Sequence, residues 1–540
     1  MPKQKVVART GDLRDGQMKL VDVAGTPVLL TRLDGTYHAI GGHCTHYDAP
    51  LDQGVLCGHR VICPWHHACF DVRTGDHLEP PGLDALPRYE VALQGDEVVI
   101  SVPDETPARR VPDMVAPDTR ADGRTFAVLG GGAAGAAAVE VLRQVGFQGR
   151  VVLVTAEDRV NYDRTRLSKG FLAEDLHDLP GEREASFYLA HGIEVLTGCT
   201  AHRVDAGGHR VELSDGQSLA YDALLVATGG EPRRLEVPGA ELPQVLTLRA
   251  PRDAAAINAA ARQGRRAVVV GTSFVGMECA ASLRGRDLDV TVVGPDPVPF
   301  ARTLGEQVGR LFQRLHEDKG VRFVLGSRVE RLEGHDRVEQ VVLASGQRLP
   351  ADFVVVGVGV RPRTGFLEGV HRNEDGGVNV DDRFRVEGAD GSLYAAGDIA
   401  AFAHPLTGER VRVEHWRVAR QHGWAAARSM ASVDGGARQI PFFWTRQFGQ
   451  NLRYVGHART WDEVLIDGDL DGLSFLAYYV HHGQVVAVAG MGRDQAIDAV
   501  EECMRLQRMP ALDQVRRGGV DWLGLLKGKG VASAQGMATR

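Results

Sequence analysis

Two short segments place metal-donor side chains at a repeated spacing. Cys44-Thr45-His46 is followed, after sixteen residues, by Cys63-Pro64-Trp65-His66, which reads C-x-H and then C-x-x-H. Two thiolates and two imidazoles suit either a tetrahedral zinc or a [2Fe–2S] cluster in which two histidines replace two cysteines on one iron. Zinc fingers usually bring two cysteines from one turn and two histidines from a helix, whereas here each loop supplies one of each. Two similar loops can clamp a pair of irons, sulfurs on one and nitrogens on the other, and structural zinc is the alternative. His67 adjoins His66, but the C-x-x-H spacing selects His66. Cys57 and Cys69, which complete a group of four cysteines within 26 residues, read as structural thiols.

Two further segments carry the glycines that let a phosphate approach the backbone. Gly130-Gly131-Gly132-Ala133-Ala134-Gly135 fits G-x-G-x-x-G. Gly130 permits the turn, Gly132 admits a pyrophosphate, and Gly135 lets helix and strand pack closely. Glu157, just past the next strand, is placed to accept a ribose hydroxyl. The second segment, Gly271-Thr272-Ser273-Phe274-Val275-Gly276, has Ser273 at the middle position. Its following strand ends at Gly294, where an NAD site usually has an acid; Gly294 offers neither a carboxylate nor a cation, and NADH is favoured over NADPH.

These segments need particular elements to hold them. Residues 1–103 read as short strands between turns, including Val6–Arg9, Pro27–Thr31, Tyr37–Ile40, Arg60–Ile62 and Val98–Ile100, a small β module. Residues 104–122 contain Pro107, Pro112 and Pro117 and read as a linker. From residue 124, strands alternate with helices as in parallel sheets. Phe126–Leu129, an Ala-rich helix to about Val145 and Val151–Thr155 form one βαβ unit. Ala267–Val270, a helix to about Leu283 and Val290–Val293 form another. Strands such as Leu476–Val480 and Gln484–Val488, then a helix near 494–507, suggest an α+β C-terminal domain. Domains are expected at 1–103, 123–248, 249–371, 372–437 (completing the first nucleotide domain) and 438–540.

Composition sets outer bounds. The 540 residues, 44% hydrophobic and 24% charged, correspond to about three to five domains and exclude whole-chain disorder, collagen and coiled coil. The 62 basic and 70 acidic residues give a charge of −8 with no basic stripe for nucleic acid. No apolar run reaches the ~20 residues of a membrane helix, since Glu140 and Arg143 interrupt 126–145. Met1-Pro2-Lys3-Gln4-Lys5 leads into no signal-type apolar core. Seven cysteines are too few for a disulfide scaffold. A soluble, cytoplasmic protein is expected.

The cysteine–histidine pattern resembles the Rieske signature, which implies a [2Fe–2S] cluster on Cys44, His46, Cys63 and His66. Ala49 and Trp65 stand where respiratory members carry the cysteines of an inter-loop disulfide, so no such bridge is expected. Ala68 and Phe70 stand where high-potential members have hydroxyls donating to the cluster sulfurs, which implies a low potential. The segments Ala227-Thr228-Gly229 and Ala396-Gly397-Asp398 resemble motifs of flavoproteins with two dinucleotide-binding domains, which implies FAD at the first site, with Thr228 and Gly229 beside it and Gly397 and Asp398 at the ribityl chain. Arg164-Thr165-Arg166-Leu167-Ser168-Lys169 resembles the R-x-x-L-S-K segment of flavin-dependent ferredoxin reductases and apoptosis-inducing-factor-like proteins. Arg164 then helps hold the cofactor, and Lys169 stands near flavin N5 and O4 as a cation that stabilises negative charge on the reduced ring. Glu278 corresponds to a glutamate near the nicotinamide, or is a first-turn acid favoured by the helix dipole. Glu414-His415-Trp416 resembles the segment lining the isoalloxazine. No Cys lies between Cys69 and Cys199, so dithiol chemistry beside the flavin is excluded.

The resemblance covers nearly the whole chain and implies a multidomain fold: a small all-β Rieske domain, an α/β flavoprotein with Rossmann-like FAD and NAD domains, and an α+β C-terminal domain. A nicotinamide yields two electrons as a hydride and a [2Fe–2S] cluster accepts one, so flavin must stand between them. The expected activity is an FAD-dependent NAD(P)H oxidoreductase that passes electrons through the Rieske cluster to an acceptor protein. Lys169 and Glu278 are its candidate catalytic residues, and no side chain serves as a nucleophile. Supply of a specific oxygenase by a fused reductase–ferredoxin, and an NADH-sensing interaction protein, are the alternatives.

Overall fold

A computed structural model describes residues 2–434 and 439–527; the expected boundary at 437/438 and the expected domain's last residues, 528–540, lie outside the described residues. The chain divides into two compact units. One comprises Met1–Pro112, Gly483–Val488 and the segment from Arg493 onward; the other comprises Asp113–His482 and Ala489–Gly492.

The first unit contains a six-stranded sheet in the order Lys3–Arg9, Glu97–Val102, Arg88–Gln94, Thr36–Gly41, Thr26–Leu33, Gln17–Val23, and a four-stranded sheet of Val55–Cys57, Arg60–Ile62, Cys69–Asp71 and His77–Glu79. All pairings of the second sheet are antiparallel. Successive side chains of a strand point to opposite faces, and here both faces of Thr26–Leu33 are covered. Val28 and Leu30 join one apolar cluster with Ala39 and Ile100. Leu29 joins another with Ile40, Val61, Phe70 and the cysteines Cys44 and Cys63. The cysteine-bearing loops are thus anchored in a core shared by the two sheets.

The second unit holds two parallel five-stranded sheets. The first runs Ile193–Leu196, Arg150–Val154, Thr125–Leu129, Ala223–Val226, Leu393–Ala395, and the second runs Val245–Thr247, Phe353–Val356, Arg266–Val270, Asp289–Gly294, Arg322–Leu325. The near-continuous Val and Leu runs of their inner strands are buried, as parallel strands covered on both faces require. Helices Ala133–Gln144 and Trp416–Met430 pack so closely that a Cβ on Gly423 would lie 2.0 Å from the carbonyl oxygen of Ala134. The two charges interrupting the apolar run 126–145 are both buried and matched. Arg143 donates to the carbonyls of His191, Phe147, Gly149 and Gly192 at 2.7–2.9 Å, and Glu140 pairs with Arg183 at 3.1 Å.

The segment expected as one α+β domain over 438–540 divides between the units. Strands Phe442–Gln447, Gln450–Gly456, Glu463–Asp469 and Ser474–His481 belong to the second. Helix Asp494–Arg505 belongs to the first, where it packs against Val55–Cys57 and where its buried Asp498, Glu501 and Glu502 find their partners. The expected linker is tied at both ends within its own unit: Arg110 bridges Ala85 in the first, and Val115 donates to the Arg143 carbonyl in the second. Among the described residues, no helix is long and apolar enough to cross a membrane.

Candidate functional site

The two cysteine–histidine loops share one backbone design. Cys44 N–H donates to the Ala49 carbonyl and Asp48 N–H to the Cys44 carbonyl; Cys63 N–H donates to Ala68 and His67 N–H to Cys63, all within 2.8–3.1 Å. The fourth residue after each cysteine is left-handed, Asp48 at φ 63° and His67 at φ 58°. This repeat brings the donors together. The Nδ1 atoms of His46 and His66 lie 3.2 Å apart, and Cys63 shares a side-chain hydrogen bond with Cys44 that lowers the Cys44 pKa, while burial raises that of Cys63. Two thiols and two Nδ1 atoms converging from matched loops fit a two-iron cluster better than a zinc ion held by a turn and a helix. Tyr47 and Trp65, each 40% exposed, flank the histidines, and Ala68 and Phe70 are buried without a hydroxyl.

His67 does not join these donors. Its ring is wholly buried, with Nε2 2.7 Å from Asp498 Oδ1 and Nδ1 in a short contact with Glu501 Oε2. Burial opposes charge on this imidazole, but the two carboxylates outweigh it and raise its pKa to about 9. Nothing in the local spacing around His67 announces partners more than 430 residues away. Cys57 and Cys69 are buried, and burial pushes the Cys57 thiol up to about 11 and Cys69 well above its ordinary value.

In the second unit, a cavity of 1410 Å³ gathers Gly130, Gly132, Glu157, Arg164, Lys169, Thr228, Gly229, Glu278, Gly397, Asp398, Glu414, His415 and Trp416. Gly130 has φ 110°, open to glycine without strain. A Cβ on Gly135 would sit 1.9 Å from the Gly130 carbonyl oxygen, whereas a Cβ on Gly132 would meet nothing within 4 Å. The turn is therefore closed on its protein side and open toward the cavity, which fits a pyrophosphate. Glu157 is held by Arg164 Nη2 at 2.7 Å and by the Tyr162 hydroxyl at 2.8 Å. Although burial alone would raise its pKa, Arg164 brings it below the usual carboxylate range. Arg249, absent from the sequence reading, stands 3.4 Å from Asp398. Burial raises the Glu414 pKa against the pull of Arg412 and drives His415 down to about 3; His415 therefore lies neutral against Phe443.

Lys169 and Glu278, which come from different expected domains, meet as an ion pair at 2.9 Å. Ser168 Oγ donates to the same Glu278 oxygen at 2.5 Å, and Thr445 Oγ1 donates to the other at 2.7 Å. Lys169 lies within a π-turn over Leu167–Phe171, at φ −111°, ψ −105°, the kind of helical irregularity frequent at functional sites. Sequence reasoning gave no role to Ser168, although it is the serine of the R-x-x-L-S-K segment, and none to Thr445, which follows Phe442, Phe443 and Trp444.

Gly271, Ser273 and Gly276 lie outside this cavity, at the start of helix Phe274–Arg284. The second turn repeats the first: Gly271 has φ 126°, and a Cβ on Gly276 would lie 2.2 Å from the Gly271 carbonyl oxygen. Gly294 has a packing reason, because a Cβ there would lie 2.4 Å from Thr272 Cγ2. The next carboxylate, Asp296, pairs with Arg302 at 3.0 Å.

Three family models match this chain: the pyridine nucleotide-disulphide oxidoreductase family over residues 124–423, the Rieske [2Fe-2S] domain over 3–90, and the reductase C-terminal domain over 442–521. Apoptosis-inducing factor 3 of Mus musculus is 36% identical, covering 96% of this chain and 88% of its own length. The ferredoxin–NAD(+) reductase component of the biphenyl dioxygenase system of Paraburkholderia xenovorans (strain LB400) is 30% identical, over 75% of this chain and 99% of its own. Among solved structures, the ferredoxin reductase for the CYP199A2 system of Rhodopseudomonas palustris superposes with a TM-score of 0.68 at 30% identity, over 72% of this chain and 96% of its own.

Proposed function

The chain belongs to the pyridine nucleotide-disulphide oxidoreductase family, and from that premise we propose how its residues divide the work of an FAD-dependent NAD(P)H oxidoreductase that delivers electrons through a Rieske [2Fe–2S] cluster. FAD held in the cavity of the second unit would supply two-electron chemistry toward a nicotinamide and one-electron chemistry toward the cluster. Cys44, Cys63, His46 and His66 hold the irons; the convergence of the two histidine Nδ1 atoms at 3.2 Å is the observation that carries this assignment. The open turn at Gly130–Gly135 takes the FAD pyrophosphate at a helix N-terminus. Glu157 takes the ribose, Asp398 takes the ribityl chain, and Thr228, Gly229 and Gly397 form the wall beside them. Arg164 orients Glu157. Glu414, His415 and Trp416 line the ring, and the neutrality of His415 supports an apolar contact there.

Lys169 supplies the cation for negative charge on the reduced ring, and Glu278, with Ser168 and Thr445, fixes where that ammonium points. The turn at Gly271, Ser273 and Gly276 receives the nicotinamide dinucleotide. NADH is the favoured donor, since the strand after this turn ends at Gly294, which packs against Thr272 and offers no cation for a 2′-phosphate. The acceptor is a protein that docks over Tyr47 and Trp65 at the cluster; the dioxygenase-system relative favours an oxygenase component. Seven cysteines, too few for a disulfide scaffold, support a reducing, cytoplasmic setting.

Stopped-flow mixing of the purified protein with NADH or NADPH tests the scheme. Flavin bleaching followed by cluster reduction, faster with NADH, is expected. Preparations without iron and acid-labile sulfide, or flavin reduction that never reaches the cluster, would overturn it.

A further inference from the structure

We propose that helix Asp494–Arg505 is a positioning element for the [2Fe–2S] site, acting through His67; this rests on the cluster assignment above. The two cluster loops impose the same left-handed backbone on Asp48 and His67. Aspartate tolerates that conformation, and Asp48 is largely exposed. Histidine adopts it less readily than glycine, and His67 does so with a side chain 0% exposed. The loop's own hydrogen bond to the Cys63 carbonyl sets that backbone, and the carboxylate pair, one on each ring nitrogen, anchors the side chain.

Asp498 and Glu501 are three residues apart and so share a helix face. That face continues the same way. Gln495 donates to the Gln53 carbonyl at 3.0 Å, and Glu502 lies 3.5 Å from Arg60, which also pairs with Glu79. The buried carboxylates Asp498, Glu501 and Glu502 are costly unless each has a partner, and the partners of this face come from residues 53–67, the stretch leading into the second loop. One peptide bond separates His67 from His66. Fixing His67 therefore fixes the backbone from which His66 reaches toward His46, so His67, Asp498 and Glu501 act as positioning residues for the ligand set.

H67G and the double variant D498N/E501Q test this in the full-length holoprotein. Glycine accepts φ 58° freely, so H67G removes the tether and leaves the loop backbone unstrained. The readouts are the g-values of the reduced cluster by electron paramagnetic resonance, its midpoint potential, and the rate of iron loss to a chelator. Shifted g-values, a displaced potential and iron loss accelerated several-fold are expected in both, with H67N, which keeps one donor, falling between. If H67G gives no folded protein, E501Q alone decides by the same readouts. Parental g-values, potential and iron retention in the variants would overturn the proposal while leaving the cluster assignment intact. A parent protein without a mixed-ligand [2Fe–2S] signal would overturn the assignment itself.

Discussion

In the proposed scheme Glu278 organises the site through its hydrogen bonds alone. Its two oxygens accept from Lys169, Ser168 and Thr445, so the ammonium has little freedom to turn elsewhere. Replacing Glu278 by Gln keeps the shape and removes the charge that holds Lys169. In E278Q, flavin reduction by NADH should slow on the order of 10²-fold, the usual effect of losing one preorganised electrostatic partner, with FAD content unchanged. K169M should show a similar loss. Because the two side chains act as a pair, K169M/E278Q should be little worse than either single variant; additive losses in single-turnover kinetics would count against the pairing.

Helix Trp416–Met430 joins two properties, close packing and a buried imidazole. Gly423 lets it approach Ala134 on the helix that opens at the Gly130 turn. G423A should destabilise the protein by about 1–3 kcal/mol through overpacking and weaken FAD retention, both measurable by thermal melting and by flavin release. The preceding residue, His422, sits between Phe384 and Phe402, where burial drives its pKa to about 3 from an ordinary 6.5. Since the folded value is the lower, the unfolded chain takes the proton first on acidification. The stability contribution is complete above about pH 6.5 and falls toward pH 3 by up to about 1.4 kcal/mol per pH unit. H422L should therefore lose less stability than the parent between pH 7 and pH 5; parallel denaturation curves would refute this account.

The two units draw on different parts of the chain, the first on both its ends and the second on its middle, and each has its own apolar core. Chemistry in one should therefore survive loss of the other's cofactor. C63S should abolish the cluster signal yet preserve FAD content and NADH-dependent reduction of a small dye by the flavin; loss of flavin along with the cluster would show that the units do not fold separately.

The cofactor set was legible in linear order because each motif closes on itself. C-x-H and C-x-x-H specify single turns whose hydrogen bonds are satisfied within about six residues, as the matched bonds at Cys44 and Cys63 illustrate, and G-x-G-x-x-G fixes the close approach of Gly135 to the Gly130 carbonyl within six. Partnerships between distant residues were not legible. Lys169 meets Glu278 across 109 positions, His67 meets Glu501 across 434, and helix Asp494–Arg505 joins a unit other than that of the strands from Phe442 to His481. Such contacts depend on which buried polar groups must be satisfied once the sheets and helices have packed. That requirement has no local period or spacing, and only the folded chain expresses it.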